Sequence, residues 1–267
     1  MIVSAFTSEK IIYLIERWGI SIQLNQSRSN MKRVFKSWNS PSMGKEMDLL
    51  IYGDEGTPVI VFPSAHGNFK EWEDKHAVHI LQQQIDDGFN QLFLIDNFSD
   101  ESFMNHEIEP LLRIRRFEQY QEYIMDELLP FISDINSNPF IITTGVAIGA
   151  YAALLMALKY PTNFQKVVGI CGYFDIRVHM DNVIDDSIYF NNPVEFIPNL
   201  NDDKLLKLIS SVDIRLLNYK NDPTKDETRK MSDLLWLKFI EHEHYVWDQE
   251  TNDLWTLAPH MLKDNLF

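Results

Sequence analysis

Cysteine is almost missing from this 267-residue chain, and Cys171 is its single example. No intrachain disulfide can form, and a reducing, cytoplasmic setting is the simplest one. Cys171 ends the apolar run Val167-Val168-Gly169-Ile170. It reads as a core thiol rather than a nucleophile, because buried structural thiols are inert. Positive charge is also scarce: 24 Lys and Arg against 39 Asp and Glu give a formal net charge of −15. Nucleic acid and anionic membrane surfaces both select a basic face, so neither is expected as the main partner. Long apolar runs are absent, and none approaches the ~18 residues of a membrane span. The short apolar pieces of residues 1–24 are interrupted by Glu9, Lys10, Glu16 and Arg17, with no small-residue cleavage site after them. Glycine and proline, at 10 and 11, are too few for a fibrous or long disordered segment. There is no phosphate loop ending in Gly-Lys-Ser/Thr and no dinucleotide fingerprint, so no cofactor is expected.

What remains is an ordinary globular composition, 45% hydrophobic and 24% charged. That suffices for the core of one α/β domain, which can run to about 250 residues undivided. Residues 1–30 read as a separable lead, with Ser8 capping a short helix over residues 9–18 and a polar linker at 25–30. Residues 31–267 read as a single domain in which strands and helices alternate. Strands are expected at 34–38, 47–52, 58–62, 91–95, 140–144, 166–171, 214–219 and 244–247. Helices are expected at 73–87, 111–132 (broken near Phe117), 150–157, 205–209, 224–239 and 254–262. Residues 173–200 show no strong period and read as an irregular excursion. Alternation of this kind implies a mostly parallel sheet with helices on both faces. Ligands of such sheets sit at the carboxyl ends of the strands, so the residues just after each apolar run carry the interest.

The most informative of them follow residues 140–144. Gly145-Val146-Ala147-Ile148-Gly149 joins an apolar strand to an alanine-rich helix. In α/β-hydrolases this spacing is Gly-x-Ser-x-Gly, with serine as the nucleophile; here Ala147 takes its place. The loop after residues 58–62 is Pro63-Ser64-Ala65-His66-Gly67. Gly172-Tyr173-Phe174-Asp175 follows residues 166–171. Asn221-Asp222-Pro223 follows residues 214–219, and Glu250-Thr251-Asn252-Asp253 follows the last strand. An oxyanion loop, a nucleophile position, an acid and a histidine position in that order make the layout of an α/β-hydrolase.

With Trp38–Met47, Val61–Ser64, Glu71–Asp74 and Asn191–Leu200, these stretches resemble the esterase family of α/β-hydrolases around S-formylglutathione hydrolase, mycolyltransferases and feruloyl-type esterases. The resemblance spans residues 34–262. It implies that Ala147 stands at the nucleophile position, Asp222 at the acid position and Asn252, to within one residue, at the histidine position. Asp222 reads equally well as a turn residue before a helix. Alanine cannot attack a carbonyl, and asparagine cannot take up a proton near neutral pH. The oxyanion hole is made of backbone N–H groups, so Ile148 and either Ala65 or Ser64 can still supply it. Tyr173 is expected to line the same pocket.

The remaining histidines read as structural. His66, in the oxyanion loop, is a candidate ligand contact but reads more simply as a loop histidine bonded to a neighbour; His76 and His79 are expected to share a surface helix face, and His242 and His244 to lie on a solvated edge. A metal centre at the last pair would need a third ligand, and none is evident. Trp38 and Trp72 read as core. The function that follows is a non-catalytic, esterase-like protein that binds a small acyl or ester-like ligand or a protein partner. Two alternatives stand beside it. One is an active ester hydrolase or acyltransferase, with Ala147 engineered from serine or another group such as His66 acting. The other is an assembly protein whose pocket is filled by side chains.

Overall fold

The structure, a computed structural model, describes residues 31–249 and 253–266. β1 (Arg33–Ser40) and β2 (Lys45–Tyr52) pair antiparallel across a tight turn, where Gly44 takes φ +63°. Six further strands follow: β3 (Thr57–Phe62), β4 (Asn90–Ile95), β5 (Ile142–Val146), β6 (Lys166–Ile170), β7 (Asp213–Tyr219) and β8 (Glu243–Trp247). They form one sheet in the order β1-β2-β4-β3-β5-β6-β7-β8. β2 meets β4 antiparallel, and every pairing from β4 to β8 is parallel. β4, β5 and β6 are buried along their whole length, which is why β4 and β6 read as largely continuous apolar runs rather than alternating ones.

Eleven α-helices are described: α1 (Glu71–Asp74), α2 (Ala77–Ile80), α3 (Gln82–Asp86), α4 (Pro110–Tyr123), α5 (Leu129–Ile135), α6 (Ile148–Lys159), α7 (Asp186–Asn191), α8 (Pro193–Asn199), α9 (Asp203–Ile209), α10 (Lys225–Leu237) and α11 (Leu254–Asn265). Strand residues alternate between two cores, as the period of two requires. Ile60 and Phe62 of β3 pack with Phe117 and Tyr120 of α4 and with α6. Val59 and Val61 face the other way, into a second cluster with Trp72, Val78 and Met261. α6 is apolar on every side and buried from Ile148 to Leu158, as expected of a helix wedged between the sheet and a second helical layer. Trp72 is core, and Trp38 is partly buried against the first cluster. No helix among the described residues is long and apolar enough to cross a membrane.

Several elements differ from expectation. Residues 73–87 form not one helix but the three short ones α1–α3. His76 holds a left-handed conformation (φ +57°) at the first break, so His76 and His79 do not share a helix face. Phe117 does not break its helix; it is fully buried within α4. The irregularity comes later, as a π-helical turn over Ile124–Leu128 joining α4 to α5. Pro130 explains it: a ring without an N–H clashes with the carbonyl four residues back, and a wider turn absorbs the clash. Residues 173–200 are more regular than their composition suggests. Ile176–Met180 is a 3-10 turn, the Asp185 side chain caps α7, and Pro193 opens α8. The helix expected over residues 9–18 lies outside the described residues.

The π turn also fastens the first hairpin. Glu127 accepts hydrogen bonds from Trp38 Nε1 (2.8 Å), Ser40 Oγ (2.7 Å) and Ser42 N (3.0 Å). Burial opposes its charge, but these bonds prevail and hold the carboxyl below its usual range. A lowered carboxyl stabilises the fold above its unfolded-state pKa and loses that contribution as pH falls through the folded one. Glu127→Gln is therefore expected to cost about 1–2 kcal/mol at pH 7 in denaturant unfolding. The gap from the parent chain should close as pH drops below the carboxylate range.

Candidate functional site

β5 stops at Val146 and α6 starts at Ile148, so one residue makes the whole turn. That residue, Ala147, has φ +52° and ψ −115°, a conformation L-residues rarely adopt. The flanking glycines make the turn possible. A Cβ on Gly145 would sit 2.5 Å from the carbonyl carbon of Gly149, and one on Gly149 would sit 2.5 Å from the Pro63 oxygen and 2.7 Å from that of Phe62. α6 thus folds back against its own strand and against the end of β3. The Ala147 N–H donates to the Ile170 carbonyl (3.0 Å), which ties the turn to β6. Val146 and Ile148 are buried, while Ala147 between them is half-buried.

The close approach of Gly149 to Phe62 and Pro63 sets the loop of Ser64, Ala65 and His66 beside the elbow. Ser64 gives its amide to Glu71 Oε2 (2.7 Å) and its hydroxyl to Glu71 Oε1. Asn97 Nδ2 donates to the Gly67 carbonyl (2.8 Å) and clamps the far end of the loop. With the Ser64 amide engaged, Ala65 N–H is the next donor along the loop. Neither it nor Ile148 N–H has a hydrogen-bond partner among the described residues. His66, at φ +60°, pairs through Nδ1 with Asp100, and both side chains are largely exposed. Glu71 is a residue the sequence did not single out. Burial pushes its carboxyl upward against the bonds from Ser64 that pull it down.

Asp222 follows β7 and is buried. Its Oδ1 accepts from Thr224 N (2.8 Å) and Thr224 Oγ1 (2.9 Å), the turn role foreseen for it, while Oδ2 accepts from Asn218 Nδ2. It also lies against Cys171, whose thiol is driven far up by burial and by this carboxylate. Cys171 is a core residue, as its sequence suggested. Asn218 extends the network, with its Oδ1 3.0 Å from His244 Nε2 and its Nδ2 donating to Thr228 Oγ1 (3.1 Å). His244 is therefore a half-buried, bonded group and not part of a solvated edge. The same correction holds for His242, which meets Ser232 Oγ at 2.7 Å and the Ile240 carbonyl at 2.9 Å. Both rings are held toward the neutral form by burial. Among the described residues no group of three or more His, Cys, Asp or Glu is placed to hold a metal ion. Asn252 lies outside the described residues.

Tyr173, just past β6, is 43% exposed and lines a cleft of about 460 Å³ with Asp175, Arg177, Val178, Asn182 and Glu227. Burial opposes the Asp175 charge, yet hydrogen bonds from Arg177, Asn192 and Lys230 hold its carboxyl far below the usual range. β3, β5, β6 and β7 are consecutive in the sheet, so Ala65, Ala147, Tyr173 and Asp222 line up along one carboxyl edge.

A sheet in this strand order, with a strand–turn–helix elbow on its central strand, defines an α/β-hydrolase-fold protein. The family profile described as "Putative esterase" matches residues 40–265, and the chain belongs to that family. Solved structures agree on the fold. An S-formylglutathione hydrolase from Agrobacterium tumefaciens superposes with a TM-score of 0.66 at 13% identity, over 89% of this chain and 94% of that one. MPT51 (FbpC1) of Mycobacterium tuberculosis gives 0.63 at 13%, over 88% and 96%. A ferulic acid esterase gives 0.71 at 12%, over 88% and 96%. No curated protein matches the sequence.

The elbow contacts leave no space for added atoms. Gly149→Ala is expected to lower stability by about 1–3 kcal/mol through overpacking, measured as a shift of the denaturation midpoint at unchanged slope.

Proposed function

We propose that this chain uses an esterase scaffold to bind a small acyl or ester-like ligand without cleaving it. The observation that carries the reading is Ala147 at the apex of the elbow: a methyl group stands where the family's spacing calls for a nucleophilic oxygen. Asp222 supports it. Both of its carboxylate oxygens have partners in the turn and in Asn218, and no described histidine hydrogen-bonds to it directly. Asn252 at the histidine position would leave the site without a general base as well.

The N–H groups of Ile148 and Ala65 remain open beside the elbow. Two amides can hold a carbonyl or carboxylate oxygen, and this needs neither a nucleophile nor a base. Binding without turnover is the chemistry such a set supports. In subtilisin, losing the serine nucleophile alone costs about 10⁶-fold in kcat.

The test is gain of function. The parent chain is expected to resist a fluorophosphonate probe and to leave p-nitrophenyl acetate at its background rate. Ala147→Ser alone should stay near background. Ala147→Ser combined with Asn252→His should raise turnover by roughly 10²-fold or more, the usual contribution of a positioned base. Ester turnover by the parent chain that Tyr173→Ala abolishes would sink the proposal and make this an active hydrolase with an unusual site.

A further inference from the structure

α6 carries its apolar surface away from the elbow and ends in Lys159. Twelve residues at about 1.5 Å each put that lysine roughly 18 Å along the helix from Ala147. There the end of α6, the α7–α8 pair and the start of α9 enclose a groove of about 520 Å³, within the ordinary size range of small-molecule sites. Its walls are Leu158, Tyr189, Phe190, Phe196, Leu200 and Leu205. Phe190 is 58% exposed, an unusual state for a phenylalanine with an apolar groove beside it.

Lys159 is the cation among the lining residues, and no carboxylate among the described residues pairs with it directly. Its Nζ donates to Asn191 Oδ1 (2.9 Å), a neutral acceptor that also takes a bond from Gln121. No carboxylate among the described residues lies within ion-pair distance of it, and Glu118 acts on it only from farther away. Asp202, the acid at the groove's rim, is occupied in capping α9 through bonds from Lys204 N and Leu205 N. In a chain with 39 acidic and 24 basic residues, a partly buried lysine without an acid partner is out of keeping with its surroundings. Burial weakens its hold on the proton, and an anion brought against it would restore that hold.

We propose that this groove binds an aliphatic carboxylate of medium chain length, its carboxylate against Lys159 Nζ and its chain along Leu158, Tyr189, Phe196, Leu200 and Leu205. The site is separate from the elbow and does not rest on the reading of Ala147. The apolar walls supply chain-length dependence, and the ammonium supplies the demand for a charged head group.

Calorimetric titration of the full chain with decanoate, shorter carboxylates, methyl decanoate and 1-decanol tests it. Decanoate is expected to saturate one site, with affinity falling roughly fourfold for each methylene removed. Methyl decanoate and decanol should bind at least tenfold more weakly than decanoate. Lys159→Met, which keeps the stem and removes the charge, should weaken decanoate at least tenfold and leave decanol within twofold. Leu205→Trp should weaken both by filling the groove. Failure of decanoate to saturate overturns the proposal. So does equal affinity for the acid and its methyl ester on the parent chain, a comparison that needs no variant. Decanoate affinity unchanged in both variants would place the chain elsewhere, the elbow included, and would leave the elbow reading standing. A concentration-dependent dimer lost in Leu205→Trp, without decanoate binding, would assign the groove to a second copy of the chain.

Discussion

The approach of α6 to the end of β3 governs everything at the carboxyl edge of this sheet. Gly149 meets the carbonyls of Phe62 and Pro63 with no room for a side chain, and Gly145 meets Gly149 in the same way. Because these backbones touch, the loop after β3 lies next to the turn after β5. The geometry of this edge is set by packing between main chains, and the side chain at the apex takes no part in it.

A second layer of polar contacts holds the strand ends in place. Glu71 takes both donors of Ser64, Asn97 holds Gly67, and Asn218 links His244 to Asp222. Each of these groups is at least partly buried, where an unmatched donor or acceptor costs more than the bond itself contributes. Such networks fix loop geometry tightly, because every member must be satisfied together. Asp222 shows the consequence: both of its carboxylate oxygens are committed, one to the Thr224 turn and one to Asn218.

Much of the architecture was legible in the sequence because burial leaves a plain signature. The runs at 58–62, 91–95 and 166–171 are continuous and apolar because both faces of those strands are covered, and all eight strands fall where the residue pattern puts them. The elbow was legible because its glycines are sterically required. What escaped reading depends on atoms distant in sequence. Nothing local reports that Glu71 reaches Ser64, or that Asn218 bridges β7 and β8. Nor does a Glu-His-Glu-His string reveal that Ser232 and Asn218 bond its two histidines. The single long helix expected at 73–87 failed for a related reason: its apolar residues serve the second core, and their contacts override helical continuity. Pro130, by contrast, carried a readable signal, and the π turn before it is the kind of adjustment that proline in a helix demands.

The backbone at Ala147 has one further implication. Its unusual conformation is imposed by the crossing of strand and helix, so any residue there other than glycine is held in the same strained state. Stability is consequently almost blind to which small side chain occupies the apex. Selection for folding and selection for chemistry act on different atoms of one turn. A lineage with this fold can change the group it presents at that point, in either direction, while its core remains as it was.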